Sequence, residues 1–317
     1  MIQLDQRQLG KSGIVVPALG VGVWSWGDKS TWGYGTTYTR ADISQAYRAC
    51  LDAGLNFFDT AEIYGNGASE RILGECMRED NRPAIIASKF APLPNRLSAS
   101  KLLDALDASL ARLGVQSIDL YQIHFPYTFL NKTALMDMMA RAFNMGKIRA
   151  VGVSNYNVKQ MKEAHARLAR YGIPLASNQV HYSLLHRKPE ENGVLDACHE
   201  LDVALIAYSP LQQGLLTGKY RAGRPISITG MRRFMRAYST SALGKIEPLI
   251  RTMETIAKTR GKTTAQVALN WLLTKDDHII PIPGAKNQHQ ATDNAAATGW
   301  RLTPEEFRQI DQASREM

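Results

Sequence analysis

Short apolar runs alternate with amphipathic segments from one end of the chain to the other. Leucines three and four residues apart share one face over 100–113, which predicts a helix there. Thr39 as N-cap and Gly54 as stop bound another predicted helix. Eight apolar runs have the length and composition of buried strands: Leu19–Trp24, Leu55–Ala61, Ile85–Phe90, Leu120–His124, Ala150–Asn155, Ser177–Tyr182, Leu205–Pro210 and Ile279–Gly284.

Eight strands, most of them followed by a helix, predict a single (β/α)8 TIM barrel over residues 1–317, with an N-terminal β-hairpin. Such a barrel forms one domain, although 317 residues would more often make two. A doubly wound sheet is the alternative, but its glycine-rich turn is matched only by Gly20-Val-Gly22-Val-Trp-Ser25, which lacks the third glycine. After the seventh strand we predict a long loop, about Leu211–Leu243.

The chain is basic, with 38 Lys and Arg against 29 Asp and Glu, and much of the surplus lies in and beside this loop. No acidic residue occurs from Val203 to Ile246. A solvated loop, a nucleic-acid surface and a site for a phosphorylated cofactor would each use such charge. We expect no nucleic-acid partner, because no helix-turn-helix, zinc finger or aromatic RNA-binding motif accompanies the charge.

Several classes of protein are excluded by what the sequence lacks. Three scattered cysteines, Cys50, Cys76 and Cys198, make neither a disulfide framework nor a zinc ribbon. The N-terminus lacks the apolar core of a signal peptide, and no run reaches the ~18 apolar residues of a membrane span. We expect a cytoplasmic protein without a membrane partner and without a catalytic metal.

Polar groups that are costly to bury lie at or near the C-terminal ends of five predicted strands. Parallel barrels place their active sites at that end, so one site at one rim is predicted. These residues are Asp59, Lys89, His124, the pair Ser154 and Asn155, and Gln179.

The residue types suggest acid–base chemistry. Asp59 and Lys89 could form an ion pair, and Tyr64 follows Asp59 by five residues. An ammonium near a phenol lowers the pKa of the phenol, and such a tyrosine can protonate a carbonyl oxygen that His124 also contacts. Lys89 could instead be the Schiff-base nucleophile of a lyase, or half of a structural ion pair. Taken alone, Tyr64 and His124 could be packing residues.

The remaining rim residues suit a planar, phosphorylated ligand. Ser154, Asn155 and Gln179 offer the donors and acceptors that a carboxamide requires. Tyr208 offers a flat face for stacking, and Gly284 with Lys286 would serve a phosphate.

These motifs resemble the aldo-keto reductase superfamily, and they occur in the family's order over nearly the whole chain. They are Gly54-Leu-Asn-Phe-Phe-Asp59-Thr-Ala-Glu-Ile-Tyr64-Gly65, Lys89, Leu120-Tyr-Gln-Ile-His124, Gly152-Val-Ser154-Asn155-Tyr156, Asn178-Gln179-Val180, Tyr208-Ser209-Pro210-Leu211 and Ile282-Pro283-Gly284-Ala285-Lys286. The resemblance implies an NADPH-dependent reductase of aldehydes or ketones. It implies Tyr64 as general acid, Lys89 and Asp59 as residues that tune its pKa, and His124 as the group that orients the carbonyl.

The resemblance also implies the cofactor contacts. Ser154, Asn155 and Gln179 would hold the carboxamide, and Tyr208 would stack on the nicotinamide. Lys286 stands where the family places a cation for the 2′-phosphate, which favours NADPH over NADH. Asp293 stands where the family often has glutamate. The other implied contacts are Ser209, Leu211, Gly214 and Leu215 at the pyrophosphate, and Gln290, Asp293 and Asn294 on the adenine side.

Trp24-Ser-Trp-Gly27, Trp32-Gly-Tyr34-Gly35 and Gly299-Trp300-Arg-Leu-Thr303 resemble the plant and cyanobacterial branch, which includes pyridoxal reductases. Pyridoxal, a sugar aldehyde and a small dicarbonyl stay open as substrates. An auxiliary ion-channel subunit that holds NADP(H) with little turnover is the alternative function, and monomer and homo-oligomer are both open. An aromatic substrate wall is predicted from Trp24, Trp26, Trp32, Tyr34, Phe125 and Tyr127.

Overall fold

The computed structural model describes residues 5–126, 128–224, 228 and 230–316. Its strands are β1 (Gln6–Gln8), β2 (Val15–Pro17), β3 (Val21–Gly22), β4 (Phe57–Asp59), β5 (Ile85–Phe90), β6 (Ile118–Ile123), β7 (Ile148–Ser154), β8 (Leu175–His181), β9 (Ala204–Tyr208) and β10 (Ile279–Ile282). Its helices are α1 (Lys29–Trp32), α2 (Arg40–Asp52), α3 (Ala68–Asp80), α4 (Lys101–Leu113), α5 (Lys132–Asn144), α6 (Val158–Ala169), α7 (Lys188–Glu191), α8 (Val194–Leu201), α9 (Thr240–Arg260), α10 (Thr264–Lys275), α11 (Gln288–Ala295) and α12 (Pro304–Arg315).

Strands β3 to β10 form one parallel sheet in sequence order, as the eight apolar runs predicted. The sheet closes on itself through a bridge between Gly22 and Gly284, and the Gly22 amide donates to the Pro283 carbonyl at 3.0 Å. A Cβ on Gly22 would lie 2.8 Å from the Ile282 carbonyl oxygen, so only glycine permits this approach. The predicted TIM barrel is therefore confirmed.

The barrel interior is filled by alternating large and small side chains, as parallel barrels of this size require. Phe57, Leu120 and Ile206 lie among alanines such as Ala87 and Ala150. The predicted N-terminal hairpin, β1 paired antiparallel with β2, adds Leu9, Ile14 and Val16 to this interior cluster and covers the N-terminal end of the barrel. The opposite end stays open for a site.

A second apolar layer lies between the strands and the surrounding helices, and it contains most of the buried residues. Helices α2 and α4 match the two predicted helices to within a residue at each end. Thr39 Oγ1 accepts from the Asp42 amide, and the Asp42 carboxylate accepts from the Thr39 amide. The two bonds form a capping box. None of the described helices combines the length and hydropathy that a membrane crossing requires.

The segment after β9 differs from the predicted loop in two ways. It contains short 3₁₀ turns at Gln212–Thr217, Gly230–Phe234 and Arg236–Tyr238. It also ends earlier than Leu243, since Ser239 caps α9 by accepting from the Ala242 amide. Gly230 lies so close to α1 that a Cβ there would be 2.4 Å from the Thr31 carbonyl oxygen. The segment therefore packs on α1 beside the open end of the barrel.

Candidate active site

A cleft of about 700 Å³ opens at the C-terminal end of the barrel strands. It collects nearly all the predicted site residues, although they come from segments far apart in the chain. They are Asp59, Tyr64, His124, Ser154, Asn155, Gln179, Tyr208, Ser209, Leu211, Gly214, Gly284, Lys286, Gln290, Asp293 and Asn294, together with Trp24, Trp32 and Phe125.

Lys89 lies below the floor of this cleft, with its side chain fully buried. Its Nζ donates to Asp59 Oδ1 at 2.5 Å, to the Thr60 carbonyl at 2.8 Å and to the Tyr64 hydroxyl at 3.5 Å. Burial alone would lower the pKa of Lys89, but Asp59 and Tyr64 more than offset it and raise the pKa above its ordinary value. Lys89 is therefore a charged ammonium that donates three hydrogen bonds.

Asp59 is held equally firmly on its other oxygen. Gln179 Nε2 donates to Asp59 Oδ2 at 2.7 Å, and Gln122 Nε2 donates to the same atom at 3.1 Å. A buried carboxylate with this many donors is satisfied without water. The ion pair is consequently fixed in one geometry beneath Tyr64.

Tyr64 presents its hydroxyl to Lys89 from the loop after β4. Burial raises the pKa of Tyr64, the Lys89 ammonium opposes that shift, and the net pKa lies above its ordinary value. The net direction is opposite to the predicted one, because desolvation outweighs the ammonium. Tyr64 therefore keeps its proton at neutral pH and is available as a proton donor.

His124 stands beside Tyr64, with ring centroids 5.6 Å apart and the rings nearly perpendicular. Its ring also stacks on Phe125 at 4.2 Å. Burial and the nearby Lys89 lower the pKa of His124 to about 2. The imidazole is therefore neutral, and it can donate one hydrogen bond without adding a charge.

The end of β7 supplies a fixed group of amide and hydroxyl atoms. Ser154 Oγ donates to the Gln179 carbonyl at 2.9 Å, and Asn155 Nδ2 donates to Ser154 Oγ at 3.1 Å. Asn155 has φ 61°, a left-handed backbone that asparagine tolerates better than most residues. The Tyr208 hydroxyl donates to Asn155 Oδ1 at 3.1 Å. These contacts link the predicted carboxamide residues to the predicted stacking tyrosine.

Tyr208 is also supported from one side by a stack of rings. Its ring is nearly parallel to that of His181 at 5.2 Å, and His181 stacks on His186 at 4.0 Å. His181 Nε2 lies 3.0 Å from Gln212 Oε1, in the loop after β9. The stack fixes the plane of Tyr208 at the edge of the cleft.

Three cations crowd the opposite end of the cleft. Burial, Arg232 and Lys219 together lower the pKa of Lys286 to about 8. The Lys286 Nζ lies 4.8 Å from the Tyr38 ring centroid, and the Arg232 guanidinium lies 4.3 Å from that of Trp32. Mutual repulsion at this end would be relieved by an anion of high charge.

The residues predicted on the adenine side form the rim next to these cations. Gln290 accepts from the Lys286 amide at 3.1 Å, and Asn294 donates to the Gly284 carbonyl at 3.1 Å. Asp293 accepts from Gln266 at 2.7 Å and from Thr263 at 3.0 Å. Asp293, whose side chain is shorter than the glutamate that the family often has there, is therefore held against the start of α10.

Aromatic side chains connect Tyr64 to the cationic end. Trp24 lies 6.1 Å from the Tyr64 ring centroid, and Trp32 meets Trp24 edge-on at 5.5 Å. Together with Phe125, these two tryptophans make an apolar wall beside the predicted acid. Such a wall favours a substrate with a flat or apolar body.

The Aldo/keto reductase family model matches residues 18–315. The chain belongs to the aldo-keto reductase family. Among its relatives, the chloroplastic pyridoxal reductase of Arabidopsis thaliana is 38% identical over 314 residues, with 95% of this chain and 84% of that protein covered. The L-glyceraldehyde 3-phosphate reductase of Escherichia coli K12 is 32% identical, covering 98% of this chain and 92% of that one.

A solved aldo-keto reductase from Klebsiella pneumoniae superposes with a TM-score of 0.76 at 27% identity, covering 98% of this chain and 95% of that one. That structure is a complex with NADPH, the cofactor that the resemblance implied. The family and the fold predicted from the sequence are therefore confirmed.

Three predicted positions differ in this aldo-keto reductase. Tyr34 packs edge-on against Tyr38 and does not line the cleft. Leu215 packs with Tyr220, Tyr238 and Leu243 instead of lining the cleft, because its apolar side chain is buried beneath the loop. Trp26 is fully buried against the helices, and its Nε1 donates to the Ala285 carbonyl, so it is not part of the substrate wall.

The remaining differences from the sequence prediction concern one predicted residue and three residues that were not predicted. Tyr127, predicted for the wall, lies outside the described residues. Sequence reasoning missed Gln122, although it precedes His124 by two residues on the same strand and so points inward. It also missed His181, although this residue follows Gln179 by two positions on β8, and Gln212 in the loop after β9.

Proposed function

We propose that this aldo-keto reductase reduces an aldehyde or ketone to an alcohol with NADPH, using Tyr64 as the proton donor. One observation carries the proposal: the buried Lys89 ammonium donates both to Asp59 and to the Tyr64 hydroxyl at the floor of an open cleft. A proton donor that must become an anion needs a fixed positive charge at its oxygen.

The residues around the cleft fit NADPH. Ser154, Asn155 and Tyr208 suit the nicotinamide end, and the cluster of Lys286, Arg232 and Lys219 suits phosphate. Buried polar atoms without a hydrogen-bond partner among the described residues also line the cleft; they include Ser25 Oγ, Trp32 Nε1, His124 Nδ1 and Gln213 Oε1. Such atoms are satisfied in most proteins, so a ligand is expected to supply partners.

NADPH, when bound, supplies the hydride. The protein supplies the proton and holds the carbonyl. Neutral His124 donates a hydrogen bond to the carbonyl oxygen, and Tyr64 transfers its phenolic proton to that oxygen as negative charge develops there. The phenolate that remains is stabilised by Lys89, whose charge Asp59 balances, and it regains a proton from solvent.

The aromatic wall supports an aldehyde with a flat ring as substrate. Trp24, Trp32 and Phe125 lie beside Tyr64 and His124, where the body of such a substrate would pack. The Arabidopsis relative is named for pyridoxal, which is an aldehyde of this shape. A sugar aldehyde is the comparison substrate, since the Escherichia coli relative acts on one.

Two measurements test the proposal. Quenching of the tryptophan fluorescence with NADPH and with NADH should show tighter binding of NADPH. NADPH oxidation should then follow on adding pyridoxal, and it should be slower with glyceraldehyde 3-phosphate. NADPH binding without turnover of any aldehyde would indicate a cofactor-holding subunit instead of a reductase, and binding of neither nucleotide would refute the proposal.

The affinity for NADPH is expected to fall as the pH rises through about 8, because Lys286 then loses its proton and with it the positive charge that attracts the 2′-phosphate. Between about pH 7 and pH 9 the Kd for NADPH should rise by up to about tenfold, while the Kd for NADH stays flat. Fluorescence titration at each pH measures both.

Lys286→Arg is the matched control, since arginine keeps its charge over this range. It should remove the pH dependence while preserving the preference for NADPH. Lys286→Ala should raise the KM for NADPH far more than that for NADH. Equal effects of Lys286→Ala on the two nucleotides would contradict a role at the 2′-phosphate.

A further inference from the structure

A second cluster of chemically active side chains lies at the other end of the barrel. His199 is in the last turns of α8, and Asp276 and His278 lie in the connection between α10 and β10. His199 precedes β9, and Asp276 and His278 precede β10. The cleft lies at the opposite ends of these two strands. The His278 carbonyl accepts from the Leu205 amide, and the strand rise of about 3.3 Å per residue puts Tyr208 about 10 Å farther along β9.

The three side chains are close enough together to share one metal ion. One ligand atom from each of the three residues lies within 4.8 Å of the others. His199 Nε2 is 2.5 Å from Asp276 Oδ2, and His278 Nδ1 is 3.5 Å from Asp276 Oδ1. Ligands of a tetrahedral zinc ion are about 3.3 Å apart for bonds of about 2.0–2.1 Å. Small side-chain adjustments therefore bring all three ligands into place.

A second carboxylate and a backbone amide lie beside these ligands. The second nitrogen of His278, Nε2, lies 3.6 Å from Asp202 Oδ1, and Lys11 Nζ lies 4.0 Å from the other Asp202 oxygen. A metal-bound histidine commonly donates its other N–H to a carboxylate, which fixes its tautomer and ring plane. Asp276 is itself positioned, because its Oδ1 accepts from the His278 amide at 2.8 Å.

We propose that His199, Asp276 and His278 bind one divalent transition-metal ion of the zinc class. Two imidazoles and one carboxylate are ligands that zinc prefers, and the partial exposure of the three side chains leaves a position for water. The ion would take the place of the direct contact between His199 Nε2 and Asp276 Oδ2. It would join α8 to the connection before β10, and so stabilise the N-terminal end of the barrel.

Titration of the full chain, freed of any histidine tag and of bound metal, tests this site. With Co²⁺ we expect visible d–d absorption that saturates at one ion per chain, and Zn²⁺ should abolish it by displacement. An ion that binds only the folded state raises the melting temperature, here by about 4 °C at a hundredfold excess over Kd. The reductase cleft is distant, so NADPH binding should not change.

Variants decide whether these three residues form the site. His199→Ala and His278→Ala should lose the Co²⁺ spectrum and the thermal shift, whereas His165→Ala, on α6, should keep both. His199→Gln retains a partner for Asp276 and provides a second test if the alanine variant unfolds. Absence of a saturable Co²⁺ spectrum in the unmodified chain, or its persistence in both alanine variants, would overturn the proposal.

Discussion

Replacing Tyr64 with phenylalanine is expected to lower kcat by about 10²-fold or more, the usual scale for the loss of a general acid. The phenylalanine ring would keep the contacts of Tyr64 with Trp24 and His124, while removing the hydroxyl that Lys89 contacts. The Kd for NADPH should stay within a factor of about two, because the change removes an interaction that matters only in the transition state. Single-turnover NADPH oxidation measures the loss.

Tyr47→Phe is the matched control. Tyr47 lies on α2, and its buried hydroxyl has no hydrogen-bond partner among the described residues. Its loss should leave kcat within a factor of about two. If Tyr64→Phe retained activity within a few-fold of the unmodified enzyme, the proton would have to come from another group or from water, and the proposed role of Tyr64 would fail.

The barrel and the floor of its site were predictable because they obey local rules. Buried parallel strands appear in the sequence as continuous apolar runs. A polar residue at the end of such a run is therefore easy to recognise. Asp59, Lys89, His124 and Gln179 stand out in this way, and the structure brings them together. The ends of α2 were predictable from Thr39 and Gly54, and the span of α4 was predictable from its leucine periodicity.

The parts that could not be predicted depend on tertiary contacts. Trp26 and Trp32 look alike in the sequence, but only Trp32, the last residue of α1, lines the cleft, whereas Trp26 packs in the core on Tyr47 and Phe58. The part of Arg232 in the cationic cluster depends on how the segment after β9 packs on α1. The direction of the Tyr64 pKa shift depends on the balance of burial against Lys89, which has no signature in residue spacing.

A buried ion pair that serves catalysis should cost stability when only one partner is removed. Lys89→Met leaves the Asp59 carboxylate buried with two amide donors and no countercharge. The free energy of unfolding should fall by about 3–5 kcal/mol, measured by urea denaturation. The kcat should fall as well, because the Tyr64 phenolate would form without a neighbouring positive charge. Lys101→Met is the control, since its ion pair with Asp104 is exposed and should contribute less than about 1 kcal/mol.

The double variant Asp59→Asn with Lys89→Met separates folding from catalysis. It removes both charges, so the buried site is neutral and much of the stability lost in Lys89→Met should return. The kcat should stay low, since the ammonium that stabilises the Tyr64 phenolate is still absent. Stability losses that simply add would show that Asp59 and Lys89 are not energetically coupled. Recovery of kcat together with stability would show that the ion pair only maintains the fold, and that Tyr64 donates its proton without help from Lys89.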